Sequence, residues 1–168
     1  MSQPPEFTLH FETDDMTGDQ VARLGLSNAA AATVERLLQV VSTVDDARRQ
    51  PGDLLDETLD ALKTMNKVIA RAIMTELMRG TPEEDLADRL DIDPFTFARQ
   101  HGRLNKTHLL NDPQGLWDEL RPTCPATIHD TCPADPATAA HHLDLWMRRH
   151  LDPREAAPGP THPVSAGL

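Results

Sequence analysis

The sequence predicts an all-α fold: a long antiparallel helical hairpin supporting two short helices joined by a tight turn, with a further helix near the C-terminus. Three observations lead there. Apolar residues recur at helical spacing over 34–44 and again over 55–77. Pro51-Gly52 interrupts the pattern between those runs, as a tight connection would. Two proline-led helix starts, Thr81-Pro82 and Asp93-Pro94, then follow too closely for anything but short helices turning sharply on each other, the geometry of a helix-turn-helix.

Residues 1–19 are acidic and polar, and are expected to form a disordered arm. Within them Phe7, Leu9 and Phe11 alternate with Thr8 and His10, a period-two pattern that fits one short strand without a partner. The helical domain is expected over residues 20–110. Its first helix is read as starting at Ser27 or Asn28 and running to the arginines before Pro51, with Val34, Leu37, Leu38, Val41 and Val44 as its apolar face. Asp53 is placed to cap the second, and Gly80 to end it after Arg79. Leu55, Leu59, Leu62, Ile69, Ile73 and Leu77 give this helix a near-heptad stripe. At 1.5 Å per residue it would extend about 39 Å, more than two short helices can cover. A second copy of the chain is the simplest way to bury the remainder, so a homodimer is expected.

In the short-helix pair, Thr81 with Glu84 has capping-box spacing, and Pro82 suits the first helical turn. Leu86, Ala87, Leu90, Ile92 and Phe97 fall on the positions that the turn must bury, and Leu86 and Leu90 are expected to be fully enclosed. Residues 66–103 thereby resemble the helix-turn-helix superfamily, with the motif itself at 81–103. More loosely they resemble small regulator-like proteins of high-GC actinobacteria that carry the pattern ELxRGxxxxxLAxxLxI. Two positions depart from that pattern. Asp91 stands where the turn usually has glycine and must accept a left-handed backbone, which Asp tolerates better than most residues. Gln100 stands where a hydrophobe usually closes the second helix, a task left to Ala98 or Leu104.

The resemblance implies DNA binding, with the second helix in the major groove. Charge is segregated accordingly. Glu83, Glu84, Asp85, Asp88, Asp91 and Asp93 crowd the first helix and turn, whereas Arg99, Arg103 and Lys106 follow with no acid between 94 and 111. Arg99 is the candidate for base edges and Thr96 for base or phosphate, with Gln100, Arg103 and Lys106 beside them. Lys63, Lys67 and Arg71, each four residues apart, form a line able to track phosphates. The net charge of −11 excludes a surface that coats nucleic acid generally, and leaves room only for a local basic patch. The alternative is a non-enzymatic interaction module that keeps the fold and binds another protein through the acidic helix 82–90 and the apolar stripe.

Residues 111–151 read as a loop and a last helix. Leu116, Trp117 and Leu120 make a small anchoring turn, and Asp135-Pro136 opens a helix faced by Leu143, Trp146 and Met147. Residues 152–168, poor in hydrophobes, are expected to be disordered. Cys124, His129 and Cys132, with His141 and His142, are metal-ligand types, but their spacing matches no zinc motif and no metal or other cofactor is assigned. No phosphate loop, nucleophile elbow or H-E-x-x-H is present, so no catalytic residue is nominated. The expected setting is cytoplasmic: no run approaches the roughly 20 apolar residues of a membrane span, and the N-terminus lacks a signal peptide.

Overall fold

A computed structural model describes residues 12–123, 132–150 and 164–168. Among them the regular structure is entirely helical: α1 (Gly18–Val41), α2 (Asp53–Met78), α3 (Glu83–Arg89), α4 (Pro94–His101), α5 (Pro113–Leu120) and α6 (Pro136–His150), joined in places by single 3-10 turns.

The hairpin forms from α1 and α2, but α1 lies earlier in the chain than expected. It starts at Gly18, where Thr17 and Gln20 form a reciprocal capping box, and ends at Val41 rather than running on towards Pro51. The alanines and glycines of 18–32, poor in the large hydrophobes that mark helix faces, are what pack. Val21, Ala22, Leu24, Ala29, Ala31 and Ala32 are all buried. The stripe Val34, Leu37, Leu38 and Val41, expected to face the core, is instead exposed. Arg49 closes the hairpin loop, donating to the Gln39 and Ser42 carbonyls and pairing with Glu57 and Asp46. Its pKa is raised above the usual arginine value, first by the Glu57 hydrogen bond. The α2 helix starts and ends one residue before its expected span, with Gly80 left-handed just beyond it at φ 87°.

The main core joins both ends of the chain. Val21 and Leu24 of α1 meet Met74 and Met78 of α2, Leu116, Trp117 and Leu120 of α5, and Ala139, Ala140 and Leu143 of α6. The expected small anchoring turn is therefore a helix whose Leu116 and Trp117 are wholly enclosed. Residues 20–110 and 111–151 share this core. Residues 12–19 and 164–168, expected to be disordered, carry structure too. Met16 is buried, and Val164 and Leu168 pack on the core. Asp144 of α6 accepts from the Val164 and Ser165 N–H groups at 2.7 and 3.2 Å and from the Ser165 hydroxyl at 2.6 Å. The Phe7–Phe11 alternation lies outside the described residues.

A second buried cluster seats α3 and α4 on the C-terminal end of α2: Ile73, Leu77, Leu86, Ala87 and Phe97, with Ile92 and Leu104 against it. At about 100° per residue, Met74 and Met78 lie a quarter-turn round α2 from Ile73 and Leu77. One flank of α2 thus faces α5, and the next carries the short helices.

Candidate nucleic-acid interface

The turn between α3 and α4 is built by its backbone. The Leu90 N–H donates to the Leu86 carbonyl and the Ile92 N–H to the Ala87 carbonyl, both at 3.1 Å, so the chain reverses within one turn of the end of α3. That reversal needs a left-handed residue, and Asp91 takes it at φ 54°. Ala87, wholly buried, keeps the two helices close. The start of α3 differs from expectation. Pro82 is its N-cap residue and no capping box forms; the Thr81 hydroxyl instead donates to Glu76 at 2.9 Å, reaching back across the α2–α3 turn. Leu90 is also not enclosed: as the C-cap residue of α3 it retains 38% of its surface, because the reversal carries it away from the cluster that Leu86 enters.

Asp93 caps α4, accepting from the Thr96 N–H at 3.0 Å and the Thr96 hydroxyl at 2.5 Å. These two bonds, the hydroxyl first, hold its carboxyl below the usual aspartate range. Phe97 anchors α4 in the second cluster and meets the His101 ring at 5.2 Å between centroids. Phe95 and Arg99, one helical turn apart, then project on the side opposite Phe97, with Phe95 77% exposed. Gln100 and Arg103 are exposed alongside, and no ion pair engages Arg99 or Arg103 among the described residues. Leu104 packs against the cluster and supplies the closing hydrophobe that Gln100 does not.

The other candidates separate from this group. The Thr96 hydroxyl is committed to the cap. Lys106 pairs with Glu119 of α5 at 2.7 Å. Arg71 donates to the Leu120 carbonyl at 3.2 Å and to the Thr123 hydroxyl at 2.5 Å, tying α2 to the end of α5. Lys63 and Lys67 are exposed, but helical spacing puts them in line with Met74 and Met78, on the α5 flank rather than the α3–α4 flank. The expected basic surface is therefore divided: Arg99, Gln100 and Arg103 lie on one flank, and the lysine line on the next. Glu84, Asp85, Asp88 and Asp91 are exposed on α3 and its turn.

Nothing in the sequence singles out Phe95, since its spacing from Phe97 gives no sign of which of the two points inward. Elsewhere, Cys132 packs against the main core, His141 and His142 stand 6.4 Å apart between ring centroids on α6, and Cys124 and His129 lie outside the described residues. Among the described residues no three ligand-type side chains gather as a metal site, and no helix is long and apolar enough to cross a membrane. No protein-family model, curated protein or solved structure matches the chain.

Proposed function

We propose that this protein is a helix-turn-helix DNA-binding protein, acting as a transcriptional regulator, with α4 as its reading helix. The observation that supports it is the outward side of α4. Arg99, free of any ion pair among the described residues, stands on a short helix fixed at one end by the Asp93 cap and in the middle by Phe97. A guanidinium held that way can meet guanine O6 and N7 bidentately, which discriminates between bases by ~1–3 kcal/mol. Phe95 beside it offers apolar contact to a thymine methyl, and Arg103 a phosphate contact. Lys63 and Lys67 contribute where the duplex reaches the α5 flank.

A second reading draws on the exposed acids Glu84, Asp85 and Asp88. Carboxylates on the helix that should cross the DNA backbone oppose phosphate, and would instead suit a basic partner protein docking across α3.

Binding to random and genome-derived DNA at ~50 mM and ~200 mM salt separates the two. In the DNA reading, Arg99→Ala weakens selected-site binding by roughly 5- to 150-fold and random-site binding far less. Arg103→Ala weakens both alike and lowers the salt slope by about one. No binding by the intact protein at low salt would overturn this function in favour of the interaction module.

A further inference from the structure

The distal half of the hairpin leaves an apolar stripe exposed as well as a charged one. Between residues 54 and 72 of α2, helical spacing collects every charged residue, from Asp56 to Arg71, on one side. Half of these charges are engaged on the hairpin or towards α5, Glu57 with Arg49, Asp60 with Arg36 of α1, and Arg71 with the end of α5, while Asp56, Lys63 and Lys67 are exposed beside them. The opposite side carries Leu62, Met65 and Ile69, which are 56%, 40% and 45% exposed. The partner stretch of α1 repeats the pattern. Arg36 turns towards α2 and Glu35 accepts from the Trp146 indole of α6 at 2.8 Å, while Leu37 and Val41 stand outward at 45% and 75% exposure. Since α5 and α6 cover the other side of the hairpin, these outward stripes form one uncharged face that no described residue covers.

We infer that this face is the interface with a second copy of the chain, two hairpins meeting to form a four-helix arrangement. Three features select a copy over an unrelated partner. A two-fold interface brings a patch against itself, so any charge within it must tolerate its own image, and this face carries none. It also lacks the fixed charges by which surfaces steer and select a dissimilar partner. Its size fits as well. It runs about 23 Å along α2, from Leu54 to Ile69, and about 11 Å along α1, from Val34 to Val41, and is about 20 Å across two helix diameters. Side-chain relief raises the accessible area above that projection, towards the ~600 Å² per partner at the lower limit of stable interfaces. The inference holds whether or not α4 meets DNA, because α3 and α4 seat further along the same side of α2, on Ile73 and Leu77, beyond the end of this face at Ile69.

The test is the mass of the full chain in solution by sedimentation velocity over about 1–100 μM, the range where a micromolar dimer dissociates. The expected mass is twice the 18.6 kDa of one chain, with a thermal midpoint that rises with concentration. Leu62→Lys and Val41→Glu, both at positions exposed in the single chain, should each halve the mass while leaving the helical circular dichroism spectrum in place. Should either variant unfold, the concentration dependence of the parent's midpoint carries the test alone. A parent that is monomeric at the highest concentration, or a midpoint independent of concentration, overturns the inference and leaves the face to a different partner. A Leu62→Lys protein that remains folded and dimeric does the same, by putting the interface elsewhere.

Discussion

Leu86 and Leu90 are one helical turn apart and belong to different environments, 6% against 38% exposed. Truncating Leu86 to Ala removes a side chain enclosed by Ile73, Leu77 and Phe97 and should cost ~2–5 kcal/mol, whereas Leu90→Ala should cost less than about 1.5. Urea unfolding of the two variants checks this, and equal losses would mean that α3 is rotated from its described seat. Gly18 sets two effects against each other. Alanine is the better helix former by ~1 kcal/mol, yet its Cβ at residue 18 would stand 2.7 Å from the Leu109 carbonyl and 2.8 Å from the Leu110 Cα. Both are backbone atoms, which cannot rotate away, so the clash of ~1–3 kcal/mol outweighs the propensity gain. Gly18→Ala should lower the thermal midpoint; a rise would show that the start of α1 is not clamped there. The sequence made one of these positions legible and hid the other. Leu86 sits in a periodic pattern, while the need for glycine at 18 comes from a segment some ninety residues away.

Three helices open on Asp-Pro, and in each the aspartate closes the first turn. Asp93 accepts from the Thr96 N–H, Asp112 from the Gly115 N–H at 2.9 Å, and Asp135 from the Thr138 N–H at 2.8 Å. The starts at Asp93 and Asp135 were readable because cap, proline and acceptor spacing all lie within four residues. Asp112-Pro113, followed by Gly115, reads in the sequence as an interruption although it caps α5 in the same way. The failed box at Thr81 marks the limit of that local logic, since Glu76, in the preceding helix, takes the hydroxyl instead. At α4 the cap has a pH signature. The carboxyl of Asp93 is held below its ordinary value by Thr96, so its stabilisation is fully present above the unfolded aspartate pKa of about 3.9 and is lost as pH falls through the lower folded value. Amide protection in α4, corrected for intrinsic exchange, should therefore hold at about pH 5 and decline only in stronger acid. Asp93→Ala should show the unprotected state throughout. Protection that declines already at pH 5 would mean that the carboxylate is not what holds the Thr96 N–H.

At the scale of the molecule, what the sequence disclosed and what it withheld divide by range. The hairpin, the α3–α4 turn and even the left-handed Asp91 follow from signals within a few residues. The main core does not, because Met16, Trp117, Leu143 and Leu168 come from remote parts of the chain. The chain's most obvious apolar stripes gave the wrong inside, since the distal hairpin turns them outward while alanines fill the interior. The candidate interface divided for a related reason: Lys106 and Arg71 look like neighbours of Arg99 until α5 arrives to claim them. The last residues show the same long-range logic in testable form. Asp144 is almost wholly buried, and holds residues 164–165 through two N–H groups and a hydroxyl. Val164 and Leu168 in turn shield the main core, and the Leu168 carbonyl accepts from the Gln20 side chain at the start of α1. Asp144→Ala should therefore release the terminus and cost ~1.5–3 kcal/mol, the range for hydrogen bonds to a charged group. Deleting residues 164–168 should produce a loss of similar size, and combining the two changes should add little, because both remove the same contacts. Losses that add in full would show that Asp144 stabilises α6 by itself and that residues 164–168 contribute separately.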